Sequence, residues 1–143
     1  MDNTVNLVKL CVGAETVEDL TGWLAVRRAE TGGALPRHVT RMWPKREAEL
    51  LNGGSLYWVF KGVILARQQI IRLEEVIGAD GIRRCGIVLS AEVTRTHPAP
   101  RRPFQGWRYL APGDSPADLP VARRDDDELP ASLSAALAEI GLR

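Results

Sequence analysis

The chain has 143 residues, 45% hydrophobic and 26% charged, a size and composition that suit one globular domain with its own apolar core. No apolar run approaches the ~20 residues of a membrane span, the opening Met1, Asp2, Asn3, Thr4 carries no basic-then-apolar leader, and two cysteines, Cys11 and Cys85, are too few for a disulfide scaffold, so a cytoplasmic protein without a membrane partner is expected. The net charge of +1 is a cancellation: residues 37–108 hold 13 Lys and Arg against 6 Asp and Glu, a net of +7, and the remainder holds 6 against 12, a net of −6.

Residues 5–12 alternate loosely and are partly β-branched, which predicts a first strand ending at Gly13. Thr16 is an N-cap with Asp19 three residues on, and Val17, Leu20, Trp23, Leu24 and Arg27 follow at helical spacing. The helix is expected over 17–30, stopped by Gly32 and Gly33. A loop then carries Pro36 and His38 to Trp43, and Pro44 starts a short helix over 45–51. Residues 55–60 are a strand by residue type, Lys61 and Gly62 a tight turn, and 63–73 a second strand, the best hairpin in the chain. Asp80 and Gly81 mark another turn before a strand over 82–89. Residues 97–103 are punctuated by proline and read as extended backbone. Residues 104–110 re-enter the sheet. Leu129, Leu133, Leu137 and Ile140 mark one face of a last helix.

With no repeated βαβ unit, the expected class is α+β: a small antiparallel sheet, open and barrel-like, flanked by N-terminal and C-terminal helices. The expected organisation is a single domain, 1–143, made of an α+β body (1–110), an irregular Pro- and Asp-rich arm (111–128) and a C-terminal helix (129–141).

Three segments carry a resemblance: Val8 to Gly13, Thr40 to Gly62, and the run Arg101, Arg102, Pro103, Phe104, Gln105, Gly106, Trp107, Arg108, Tyr109, Leu110. Together they resemble a bacterial family known as domain of unknown function 1489, over nearly the whole chain; that family implies no activity. A fainter resemblance is to PUA-like barrels of the activating-signal-cointegrator-homology group, many of which bind RNA. It rests on the short helix with Lys45, Arg46, Glu47 and Glu49 ahead of the Tyr57-Trp58 strand. The Gly-x-Lys-x-x-Glu-x-Arg pattern of that group is not reproduced, because Glu stands at 47 and 49 and no Arg follows.

The pattern richest in chemistry is basic and aromatic. Arg41, Lys45, Arg46, Lys61, Arg101, Arg102 and Arg108 are interleaved with Trp43, Tyr57, Trp58, Phe104, Trp107 and Tyr109. Arginines on phosphates and aromatic faces under bases hold single-stranded nucleic acid. The expected function is therefore an RNA- or nucleotide-binding module, with Arg41, Lys45, Arg46, Lys61, Arg101, Arg102, Trp107 and Arg108 on its surface. The bland alternative is that the aromatics are core and the arginines pair internally. Two other readings compete. One is a small enzyme acting on a nucleoside or modified base, with Thr40, Lys45 and Glu47 as acid–base candidates. The other is a non-catalytic protein-interaction module, its acidic ends folded over the basic middle, with the C-terminal helix able to take a protein partner. Cys11, Cys85, His38 and His97 have no metal-ligand spacing, so no metal or cofactor is expected.

Overall fold

The computed structural model of the chain describes residues 3–102 and 104–120. The expected C-terminal helix, and the arm beyond Pro120, lie outside them. The elements in chain order are β1 (Asn6–Leu10), α1 (Val17–Glu30), β2 (Arg37–Thr40), α2 (Glu47–Leu50), β3 (Ser55–Phe60), β4 (Val63–Ile77), β5 (Arg83–Leu89), β6 (Thr94–Pro100) and β7 (Trp107–Leu110). A short 3-10 turn, Pro112–Asp114, follows.

Local chemistry explains the elements that were legible. Thr16 Oγ1 accepts the Asp19 N–H at 3.0 Å and Asp19 Oδ2 accepts the Thr16 N–H at 3.3 Å. This reciprocal cap starts α1 where it was expected. Lys61 (φ 50°) and Gly62 (φ 84°) both sit at positive φ. That is the geometry of a tight turn joining right-twisted strands, and β3 and β4 pair antiparallel across it.

The strands form a mostly antiparallel sheet in the order β2-β5-β4-β3-β1-β7, with β6 also on β4. Among the described residues only β1 and β3 are parallel, and β2 and β7 end the sheet without pairing with each other, so it is open. β4 organises it. The first half of β4 lies between β3 and β6, and its second half pairs with β5. Irregularities in register at 64/66 and 70/72 mark where it bends. The bend curls the β5–β2 arm over one face. In a flat sheet β2 and β3, three spacings apart, would be about 14 Å from each other. Here the His38 ring on β2 lies 5.5 Å from the Trp58 ring on β3.

The concave face buries Leu7, Leu56, Phe60, Ile70, Ile87 and Leu89, with Leu50 of α2 and Val17 and Leu20 of α1 against them. The opposite face has a smaller core of Val8, Tyr57, Val59, Ile64 and Leu110. There the arm is strapped down by a polar network. Arg67 makes a two-pronged pair with Asp118, at 2.8 and 2.7 Å, and its other nitrogen donates to Ser55 Oγ. Asn6 accepts the Ser55 N–H and donates to Ser115 Oγ.

Four elements differ from the sequence reading. The 37–40 segment is a strand, not a loop, because β5 supplies its pairing. β6 is a strand despite Pro98 and Pro100; it lies at the side of β4, where proline is tolerated. β4 runs on to Ile77, past the expected end at 73, while α2 shrinks to a single turn.

Gly54 is the tightest point of the fold. A Cβ there would lie 2.4 Å from the Val5 carbonyl and 2.5 Å from that of Leu50, both backbone. Gly54→Ala is expected to lower stability by at least about 2–3 kcal/mol, an overpacking cost with no flexible side chain to yield. Urea denaturation against the parent protein measures it.

Candidate functional site

α1 is held down mainly by its first turn. Val17 and Leu20 are buried, whereas Trp23 is 54% and Val26 57% exposed. The rest of the helix stands over the concave face, and a groove of about 1380 Å³ lies beneath it. Lys9, Cys11, His38, Trp58 and Gln68 line it from the sheet, and Trp23, Leu24, Arg27 and Arg28 from the helix. The turn and loop of residues 31–36 also line it.

The polar groups of the floor are fixed with one exception. The Trp58 indole N–H donates to Gln68 Oε1 at 2.9 Å, and Gln68 Nε2 donates to the Ser90 carbonyl at 2.9 Å. His38 meets Trp58 edge-on, at 89°. Its Nε2 is buried and has no hydrogen-bond partner, alone in this among the buried side-chain nitrogens and oxygens of the described residues. An orphaned buried polar atom is a cost that folding normally removes, and Nε2, which has no exposed surface, reaches a bound group only if the ring turns. Burial, and then the Lys9 charge, lower the imidazole to about 4, so the ring is neutral at pH 7. Burial also draws the Lys9 ammonium below the usual lysine range. The Cys11 thiol is pushed up to about 11 by burial and by Asp19, so it stays protonated.

The charges sort into two sets. Eight of the 13 cations between 37 and 108 have a carboxylate partner: Arg37, Arg46, Lys61, Arg67, Arg72, Arg83, Arg84 and Arg95. Three of those partners, Glu15, Glu18 and Asp118, come from the acidic flanks. Among the described residues Lys9, Arg27, Arg28, Arg41, Lys45, Arg101, Arg102 and Arg108 have no carboxylate partner. The first three line the groove, whose other charges are Arg37 and Arg72, both paired with Glu74. Its lining therefore has five cations and one carboxylate.

The residues expected to bind from the sequence are not brought onto one surface. Trp107 is buried on the concave side, and its indole N–H donates to the Met42 carbonyl at 3.0 Å. Tyr109, also on that side, accepts the Lys45 and Arg46 N–H groups at its hydroxyl and leads into α2. The Arg46 guanidinium lies over the Tyr109 ring and pairs with Glu49. Arg108 points to the other face, because consecutive strand residues alternate, and shares the Phe104 ring with Arg101. Arg41 and Arg102 are exposed. Lys61, at the hairpin tip, pairs with Glu15 at 3.2 Å. The acid–base candidates Thr40, Lys45 and Glu47 do not line the groove. The groove residues His38, Lys9, Trp58, Gln68, Arg27 and Arg28 were missed. For Lys9 there was a signal, a lysine between Val8 and Leu10 in a strand. For His38 there was none, since the pairing that makes 37–40 a strand comes from residues 85–88.

These features define an open, curled α+β protein with a basic groove between one helix and a mostly antiparallel sheet. The family described as "Protein of unknown function (DUF1489)" matches residues 7–143, and the chain belongs to it. No curated protein and no solved structure matches the chain.

The His38 shift makes stability depend on pH. The folded ring titrates near 4 and an unfolded histidine near 6.5. Between those values the unfolded chain binds more protons, so the contribution is full above pH 6.5 and is lost as pH falls to 4. A loss of about 1–2 kcal/mol over that window is expected, allowing for the part-exposed ring. Its absence in His38→Phe, followed by urea midpoints from pH 7 to 4, checks the assignment. Cys85, buried and likewise raised to about 11, and Cys11 are both expected to react with a thiol reagent at pH 8 at least ten-fold more slowly than in the urea-unfolded chain.

Proposed function

We propose that the protein is a nucleotide- or nucleic-acid-binding module whose ligand sits in the groove beneath α1. The observation that carries this is one juxtaposition. Cations without carboxylate partners, Lys9, Arg27 and Arg28, share a cavity with the Trp58 and His38 rings and the orphaned His38 Nε2. Cations meet phosphate, aromatic walls meet a base, and a turn of the His38 ring brings the now-buried Nε2 to a polar edge of that base. The curl of the sheet also supports, within this proposal, a kinship with the PUA-like open barrels.

An enzymatic reading draws less support. A histidine titrating near 4 is a weak base at neutral pH, far from the value general-base catalysis favours. As a neutral ring it suits recognition.

The test is a titration with nucleoside monophosphates at low salt, followed by tryptophan fluorescence and calorimetry. Binding is expected to weaken about ten-fold in Lys9→Ala and in His38→Phe, the loss of one charged or buried polar contact. His38→Phe is also expected to keep or raise stability at pH 7, because it removes the unpaired buried nitrogen. Loss of affinity without loss of stability identifies a binding group. Unchanged affinity in both variants would refute the groove as the site.

A further inference from the structure

Cys11, Val12 and Gly13, at the end of β1, line the groove, and three separate loops meet at that end of the sheet. β1 and β3 run parallel with Leu10 opposite Val59, so both finish at this end, and the Cys11 N–H donates to the Val59 carbonyl at 2.9 Å. β6 finishes there too, with Pro100 opposite Val63, and the Arg101 N–H donates to the Gly62 carbonyl at 2.8 Å. β7 begins there, with Trp107 opposite Lys9. The hairpin tip thus lies between Cys11 at the end of β1 and Arg101 at the end of β6, while Arg108 sits on β7 at the other side of β1.

Those arginines form a cluster of their own. The Arg101 and Arg108 guanidiniums lie 5.7 and 5.4 Å from the centroid of one ring, Phe104. Arg108 Nη1 donates to the Gln105 and Trp107 carbonyls, which hold it in place. Neither these two nor Arg102 has a carboxylate partner among the described residues. Near the mouth Asp19 caps α1 by accepting the Glu15 and Thr16 N–H groups, and Glu15 pairs with Lys61 and Glu18 with Arg95. A polyanion leaving the groove would therefore cross the hairpin tip without meeting an unpaired carboxylate from Glu15 or Glu18.

We propose that the ligand is a single strand of nucleic acid that lies along the groove and passes over the Lys61-Gly62 turn to the Arg101, Arg102 and Arg108 cluster. The proposal rests on the groove reading above and deepens it. Dimensions favour a strand over a mononucleotide. The 14 residues of α1 span about 21 Å, and three residues of strand, about 10 Å, separate Trp58 from Lys61. One nucleotide cannot reach both ends; tracks that combine cations with aromatic platforms hold roughly 4–16 nucleotides. A duplex offers no unstacked base to the Trp58 and His38 walls, so the strand is single.

The experiment compares an octaribonucleotide, its duplex and a nucleoside monophosphate on the intact protein, each at several salt concentrations. The single-stranded octamer is expected to bind at least ten-fold tighter than the monophosphate and than the duplex. R101A/R108A is expected to weaken octamer binding about ten-fold and to flatten its log–log salt slope by about 1.4, two phosphates at ~0.7 each. R102A, whose side chain makes no hydrogen bond or ion pair among the described residues, should flatten the slope by about 0.7 without touching the fold. Monophosphate affinity should be unchanged in both. If the monophosphate binds but the octamer or the duplex binds no differently, or if both variants leave the octamer slope intact, the track is overturned and the groove reading stands. If neither ligand binds, both fall.

Discussion

The bend in β4 is the constraint on which the concave face depends. One strand of 15 residues serves β3 and β6 with its first half and β5 with its second. Only a bent strand can do both, and the irregularities at 64/66 and 70/72 absorb the bend. The curl brings His38 onto Trp58, and Gln68, buried on the inside of β4, ties the Trp58 indole to the Ser90 carbonyl. A flat sheet would leave His38 at a solvent-exposed edge with water for a partner. The curl instead desolvates it and leaves Nε2 without one.

α1 completes the groove by packing poorly. Its cap is strong and its apolar face is short, so the first turn docks and the remainder stands off. A helix with a full apolar stripe would bury itself against the sheet and fill the space. Trp23 instead remains at the rim with the Arg27 guanidinium stacked 5.0 Å from its ring centroid. The stability forgone in that packing is the kind of local concession that binding sites make.

Charge shows why an excess in sequence is not a surface in space. The net of +7 over residues 37–108 suggested one basic face. Folding pairs eight of those 13 cations, three of them with carboxylates from the acidic flanks. Exposed pairs of this kind add little stability, but they remove local charge. What remains positive is smaller and differently placed, partly on Lys9, Arg27 and Arg28, which lie outside that segment.

By itself the sequence determined the parts whose causes are local. The Thr16 cap and the Gly32-Gly33 stop bounded α1, residue type and the Lys61-Gly62 turn made the β3–β4 hairpin, and the α+β class and the family resemblance followed from residues close together in the chain. It also limited the chemistry, since the His and Cys spacing offered no metal motif. Tertiary structure decided the rest. β2 and β6 are strands because β5 and β4 pair with them, a cause 49 residues away for His38 and Ile87 and 35 for Ile64 and Ala99. The aromatic and basic run at 101–110 was divided between two faces by the alternation of β7, so that Trp107 became core and Arg108 surface. The groove belongs to no segment. Its residues come from five strands and a helix, and side chains so far apart in sequence meet only once the backbone between them has bent.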